Sequence, residues 1–223
     1  MQQEPPDAPR RRATRNSLSP AVIVTAALAV LDEEGIEAFT MRALATRLEV
    51  RPMAVYTYFR SKDELFDAVR DALLGLSLSP VEGSWQDQVR AIARRVREQI
   101  LQHPFLITLL LTRPLSGRET ADSAEAILRV LSDAGFNRET AARAYITLLT
   151  HVLGAASWEI QMTAVYQDPD RRSQLDTLPS SRYPTLTALA PELNLTNGGS
   201  AQFEFGLDLV LEGLSHKLRA DRA

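Results

Sequence analysis

The sequence predicts an all-α protein: an N-terminal three-helix unit containing a helix-turn-helix, followed by a larger helical domain. Three observations carry this. Apolar residues recur at three- and four-residue spacing along nearly the whole chain, no segment sustains the alternation of a half-buried strand, and helix start and stop residues recur at short intervals. The 223 residues divide into a disordered basic arm (1–17), a helix-turn-helix unit (18–64) and a helical domain (65–223).

Ser19 followed by Pro20 opens the first helix, because a hydroxyl caps free amides and a proline loses nothing at the first helical position. That helix runs to about Glu34, where Gly35 supplies a left-handed stop. Thr40 caps a second helix, Met41 to Leu48, with Met41, Leu44, Ala45 and Leu48 on one face. After a break at Glu49 to Pro52 comes a third helix, Pro52 to about Phe59, and Ser61 with Glu64 forms a capping box for a fourth that reaches about Leu76. Ser77 to Gly83, around Pro80, reads as a linker or kink.

Ser84 with Asp87 opens the larger domain's first helix, which His103-Pro104 ends near Gln102. Phe105 to Thr112 is a short apolar helix closed by Arg113-Pro114, and Gly117 to Ala134 is a further helix stopped by Gly135. Asn137 caps a long helix, Arg138 to about Tyr166, which is apolar on more than one side and needs partners around it. Gln167 to Ser200 is rich in Pro, Ser, Asn and Gly, with a short helix near Thr185 to Ala190. The last helix, Ala201 to Leu218, carries a stripe at Phe203, Leu207, Val210, Leu214 and Leu218, and further apolar residues at Phe205, Leu209 and Leu211. One face packs at home and another on a second subunit.

Composition narrows the chemistry. The chain has no cysteine, so disulfides, thiolate metal sites and cysteine nucleophiles are excluded, and only His103, His151 and His216 supply imidazole. No metal or cofactor is expected. A helical enzyme is poorly supported: there is no Gly-rich phosphate loop and no inward cluster of acids. No apolar run reaches the ~20 residues a bilayer crossing needs, and the Pro- and Arg-rich start is no signal segment, which points to the cytoplasm and to no membrane partner. The net charge of −3 conceals a division. Residues 10–62 hold nine basic side chains against five acids, whereas residues 63–223 hold sixteen against twenty-one, so the N-terminal end is the candidate for a polyanion.

Thr40 to Phe59, TMRALATRLEVRPMAVYTYF, fits a helix-turn-helix on physical grounds. Leu44, Leu48, Val50, Val55 and Phe59 hold the two helices together, small Ala45 permits their close crossing, and the outward positions of the second helix are free to enter a major groove.

With VYTYFRSKDELF following that motif, Leu18 to Leu74 closely resembles the N-terminal domain of the tetracycline-repressor (TetR) family of regulators. Weaker similarity to the tetracycline-repressor type of C-terminal domain continues through LTRP at 111–114, LG at 153–154 with Glu159, and FEFGLDLVLEGL at 203–214. The resemblance implies a ligand-responsive regulator, a repressor by family default, that binds double-stranded operator DNA as a homodimer and is released by a small-molecule effector. A regulator whose larger domain only dimerises or contacts protein is the alternative.

The same resemblance implies that Thr40 holds a DNA phosphate and that Arg42 reaches a base edge. It places Arg51, Met53, Ala54, Thr57 and Tyr58 on or beside the exposed face of the recognition helix, with Pro52 presetting its first turn. Tyr56 and Lys62 are assigned to backbone phosphates, and the planar fork of Arg51 suits guanine O6 and N7. Arg10 to Arg15 either extend over flanking DNA or form a solvated arm. The chain departs from the family at Glu49, where glycine is usual: either the turn is right-handed, or about 1 kcal/mol is lost to a left-handed residue.

For the effector, the resemblance implies pocket walls at Phe105, Leu109, Thr112, Arg113, Tyr145, Leu149, Val152 and Trp158, with Arg113, His151 and Glu159 as polar fixers in a mostly apolar lining. Tetracycline repressors bind a magnesium chelate through a histidine three residues before Thr-Arg-Pro. Leu109 occupies that position and has no ligand atom for a hard cation, so an apolar, aromatic or polyketide-like compound fits better. Dimerisation is expected through Arg143 to Tyr166 and Ala201 to Leu218 as a four-helix bundle, with Gly154, Ala155, Phe203, Leu207, Val210 and Leu214 at the interface. Gly206 and Gly213 mark close packing, either between subunits or within one.

Overall fold

A computed structural model of the protein describes residues 18–75, 81–112, 118–166, 178–196 and 199–221. The basic arm, most of the Pro80 linker, Arg113 with Pro114, and residues 167–177 lie outside them. The regular elements among the described residues are all helices, without strands.

Local signals set the first elements. Helix α1 (Pro20–Ala38) starts where the Val22 amide donates to Ser19 Oγ at 3.3 Å, and its backbone leaves helical geometry at Gly35, with φ 79°. The glycine interrupts the helix as expected, yet one further turn follows it. Helix α2 (Met41–Arg47) starts with the Ala43 amide donating to Thr40 Oγ1 at 3.0 Å. Helix α3 (Pro52–Tyr56) is three residues shorter than its sequence suggests, because Thr57 and Tyr58 form a turn. Helix α4 (Lys62–Gly75) begins with the Glu64 amide donating to Ser61 Oγ, but the Glu64 carboxylate accepts from the Arg60 amide rather than that of Ser61, so the expected reciprocal cap is displaced by one residue.

The larger domain comprises α5 (Trp85–Gln102), α6 (Phe105–Thr112), α7 (Arg118–Asp133), α8 (Arg138–Tyr166), α9 (Pro184–Ala188), α10 (Ala190–Thr196) and α11 (Ser200–Asp221). The Ser84–Asp87 capping box is complete. Beyond α7, Gly135 at φ 97° allows Phe136 N–H to return to the Leu131 carbonyl, which satisfies carbonyls the helix end would otherwise strand.

Packing makes one continuous core. Ile23, Ala27 and Leu31 of α1, Leu44 of α2, Val55 of α3 and Leu65 and Val69 of α4 are buried together, and α4 carries the cluster into the larger domain by packing on α7. There α8 packs against α5, α7 and α11, burying Ala141, Ala144, Leu148, Val152 and Ala156 at successive helical turns. Two polar side-chain contacts reach across the architecture. His103 Nδ1, between α5 and α6, lies 2.9 Å from Asp32 of α1. Arg90 and Arg94 of α5 hold Glu204 of α11, and Arg90 also holds Asp208. None of the helices among the described residues is long and apolar enough to cross a membrane.

Candidate functional site

The helix-turn-helix is built around a turn that glycine would normally supply. Glu49 is left-handed, with φ 55°. Val50 N–H bonds the Ala45 carbonyl at 3.0 Å and Glu49 N–H bonds the Thr46 carbonyl at 3.1 Å, the paired closure of a Schellman end. The sequence left both hands of this turn open, and the structure selects the strained one. Below it, Leu44, Ala45 and Val55 are fully buried and Phe59 nearly so, which fixes the crossing of α2 and α3.

The opposite side is solvent. Arg42, Arg51, Pro52, Met53, Tyr56 and Thr57 are exposed, while Ala54 is half-buried. Met53 is 74% exposed, an unusual placement for a large apolar side chain that is left uncovered by the described residues. Thr57 Oγ1 donates to the Met53 carbonyl. Thr40 Oγ1 accepts from Ala43, which leaves its own O–H free to donate outward. The tyrosines differ: Tyr56 stands free in the surface, whereas Tyr58 donates its hydroxyl to the Leu18 carbonyl at 2.7 Å and so anchors the entry to α1. Glu33, an acid of this unit, is held by Arg47 at 2.5 and 2.8 Å.

Lys62, expected to meet a backbone phosphate, has contacts within the subunit. Its Nζ turns inward, 2.7 Å from the Phe39 carbonyl and 3.3 Å from that of Ile36. Sequence reasoning missed this because both acceptors are backbone atoms more than twenty residues away.

In the larger domain, a cavity of about 580 Å³ lies between α8, α10 and α11, lined by Thr150, His151, Gly154, Ala155, Trp158, Leu193, Gly199, Gln202, Phe203 and Gly206. Of the expected pocket residues it gathers His151 and Trp158. The His151 ring stacks on Phe203 at 5.3 Å, and its Nε2 lies 3.0 Å from the Phe203 carbonyl. Gly206 makes this possible: a Cβ there would sit 2.4 Å from the imidazole. Gly206 therefore marks packing within the subunit, while the space above Gly213 is open.

The other expected pocket residues lie elsewhere. Phe105, Leu109 and Val152 belong to the buried core and Leu149 packs against it. Burial raises the Tyr145 phenol above its ordinary pKa. Thr112 is exposed and bonds the Thr108 carbonyl, and Arg113 lies outside the described residues. Glu159, expected as a polar fixer, is instead the counter-ion of buried Arg97, whose guanidinium also lies 5.0 Å over the Phe203 ring. Leu193 and Gln202 carried no sequence signal, because their approach to His151 depends on how α10 and α11 fold back.

The dimer expectation divides in the same way. Gly154 is exposed and Ala155 half-buried, but Phe203 and Leu207 are buried in the subunit's own core, with Val210 and Leu214 packed against it. Among the described side chains of these helices, the large apolar ones left uncovered are Ile146, Trp158, Phe205 and Leu209. Among the described residues no group of three or more histidines or acids could hold a metal ion.

This architecture has close counterparts. Residues 23–69 match the model of bacterial regulatory proteins of the tetR family, and residues 79–218 match that of the tetracyclin repressor-like C-terminal domain. An HTH-type transcriptional regulator of Saccharopolyspora erythraea is 30% identical over 212 residues, covering 92% of this chain and 88% of that one. The apo structure of ActR from Streptomyces coelicolor superposes with a TM-score of 0.77 at 28% identity, covering 92% of this chain and 98% of that one. A second ActR structure holds actinorhodin (TM-score 0.73, 28% identity, 90% and 98% covered). BioQ, solved with its double-stranded DNA operator, gives a TM-score of 0.63 at 26% identity, covering 90% of this chain and 99% of that one. With both halves matched and relatives aligned across nearly its whole length, the chain belongs to the tetR family of bacterial regulatory proteins.

Proposed function

We propose that this chain is a homodimeric transcriptional repressor that binds operator DNA through α3 and is released by a small-molecule effector. The observation that carries the reading is the outward face of the helix-turn-helix, where Met53 and Tyr56 of α3 and its flanking residues Arg51 and Thr57 stand exposed above a fully buried Val55. Arg51 at the start of α3 reads guanine, Met53 meets a thymine methyl, and Thr40 and Tyr56 hold phosphates beside Arg42. Pro52, Ala54, Thr57 and Tyr58 shape the surface around them. BioQ, solved on its operator, supports this use of the fold.

Two chains pair through the exposed faces of α8 and α11, where Ile146, Gly154 and Trp158 oppose Phe205, Leu209 and Gly213. The cavity at His151 borders that face, so the second subunit helps to close it. Its aromatic lining, and the actinorhodin held by ActR, favour a planar aromatic or polyketide-like effector. Leu109 is buried and offers no ligand atom, which weighs against a magnesium chelate at that position. Release requires only that the effector bind the non-DNA-binding arrangement more tightly.

Selection of duplexes from a random pool by the purified protein, followed by footprinting, tests the reading. A two-fold symmetric site with half-sites about one helical turn apart is expected. Failure to enrich any sequence at low ionic strength refutes it. Thermal shift against aromatic polyketides tests the effector separately, and a protein stabilised by none of them supports a purely dimerising C-terminal domain.

A further inference from the structure

The cavity at His151 limits its ligand through the chemistry of its walls. Among the described residues that line it there is no carboxylate, ammonium or guanidinium. Arg97 comes within 5.0 Å of the centre of the Phe203 ring, but its charge is already paired with Glu159. An ionised ligand would lose its hydration here and meet no counter-ion, so the walls favour a neutral molecule.

The hydrogen-bonding groups that α8 brings to the cavity have a direction. A carbonyl only accepts, so the 3.0 Å contact of His151 Nε2 with the Phe203 carbonyl puts the ring hydrogen on Nε2. In the neutral imidazole Nδ1 is then an acceptor, and it has no partner among the described residues. Stacking on Phe203 at 19° and the close approach of Gly206 hold the ring in that setting. Thr150 beside it sends its hydroxyl hydrogen to the Ile146 and Thr147 carbonyls, each 2.9 Å away, which leaves lone pairs for a ligand. Trp158, two turns further along α8, adds an aromatic wall.

We infer that the cavity selects neutral phenols: an aryl hydroxyl donates a hydrogen bond to His151 Nδ1, and the rings that carry it lie against Trp158. Among planar aromatic compounds a phenol is uncharged and donates, whereas a quinone carbonyl or an aryl ether only accepts and a carboxylate is charged. The inference rests on the reading of this cavity as the effector site, and adds to it the group the effector must carry.

The wild-type protein is titrated by calorimetry with flavone, a flavone bearing a single hydroxyl on its outer ring, the methyl ether of that compound, and the matching aryl carboxylate. The titrations are run at about pH 7.5, between the ordinary ranges of imidazole and phenol. The hydroxyl compound should bind on the order of tenfold more tightly than its ether or flavone, with the carboxylate weakest. Equal affinity for the hydroxyl compound and its ether, or tighter binding of the carboxylate, overturns the inference and leaves the effector reading standing. Binding by none of the four overturns it too, and the effector reading falls with it only if the aromatic polyketides also fail to stabilise the protein.

The ring itself can be watched, because the chain has only three histidines. In nitrogen-labelled protein, long-range proton–nitrogen correlation spectra distinguish the two tautomers, and His103→Gln and His216→Gln remove the other signals in turn. His151 should carry its hydrogen on Nε2 in the free protein, and its Nδ1 resonance should move when the hydroxyl compound is added but not when the ether is. A hydrogen on Nδ1 in the free protein, or tight binding of the hydroxyl compound with no change at Nδ1, overturns the inference.

Discussion

Glu159 accepts two hydrogen bonds from Arg97, at 2.5 and 3.1 Å, and so commits its carboxylate to the inside of the subunit. The guanidinium side chain is 8% exposed and lies on α5, while its counter-ion lies on α8, so the pair joins two core helices. Glu159→Ala should cost about 3 kcal/mol in chemical denaturation, because it strands a buried cation. Arg97→Met combined with Glu159→Leu should return to within about 1 kcal/mol of wild type. A double variant as unstable as the single would mean that the pair is worth more than its desolvation.

Glu49→Gly should stabilise the protein by about 1 kcal/mol, since it relieves a left-handed residue while keeping the backbone bonds of the turn. The check is a rise in denaturation midpoint at constant slope. A loss of stability would show that the Glu49 side chain contributes more than its backbone costs.

Acid should weaken the contact between α5 and α11. Hydrogen bonds from Arg94, and then from Arg90, hold the Glu204 carboxyl below its ordinary pKa. A carboxylate with a depressed folded pKa adds stability that is fully present above the unfolded value and is lost as pH falls through the folded one. Stability should therefore decline below about pH 4.5, and Glu204→Gln should be less stable at neutral pH with a flatter acid limb. An identical acid limb in the variant would assign the decline to other carboxylates.

Arg51→Ala should relax base preference at one position of each half-site by about 1–3 kcal/mol, measured by competition among single-base operator variants. A uniform loss across all sequences would place Arg51 on the sugar-phosphate backbone instead.

Gly154→Leu should leave the folded subunit intact, since a Cβ at Gly154 meets nothing within 4 Å. Sedimentation should nevertheless show a weakened dimer, because bulk is added to the α8 face proposed to meet α11 of the second subunit. A variant that pairs like wild type would move the interface away from Gly154.

Much of the fold was legible because helix ends are local affairs. Ser19, Thr40 and Ser84 cap the helices they precede, and Gly135 stops α7 as its residue type requires. What local pattern could not decide was direction. Both stripes of α11 are apolar, and only the packing of α8 and α5 shows that Phe203 and Leu207 turn inward while Phe205 and Leu209 stay out. The partners of Lys62 and Glu159 were hidden for the same reason, since they lie 23 and 62 residues away in sequence. The family motif put Arg51, Met53 and Thr57 on or beside an outward face, and the structure exposes them, but it said nothing about the inward contacts of Lys62 at the start of α4.

The two apolar flanks of α11 sort the damage that substitutions do. Change Leu207 and the loss is a folding loss, visible at every protein concentration. Change Leu209 and the chain folds as before, but its proposed pairing falls away on dilution, because association is governed by mass action. Neighbouring positions two residues apart would thus give opposite concentration signatures from the same loss of a leucine.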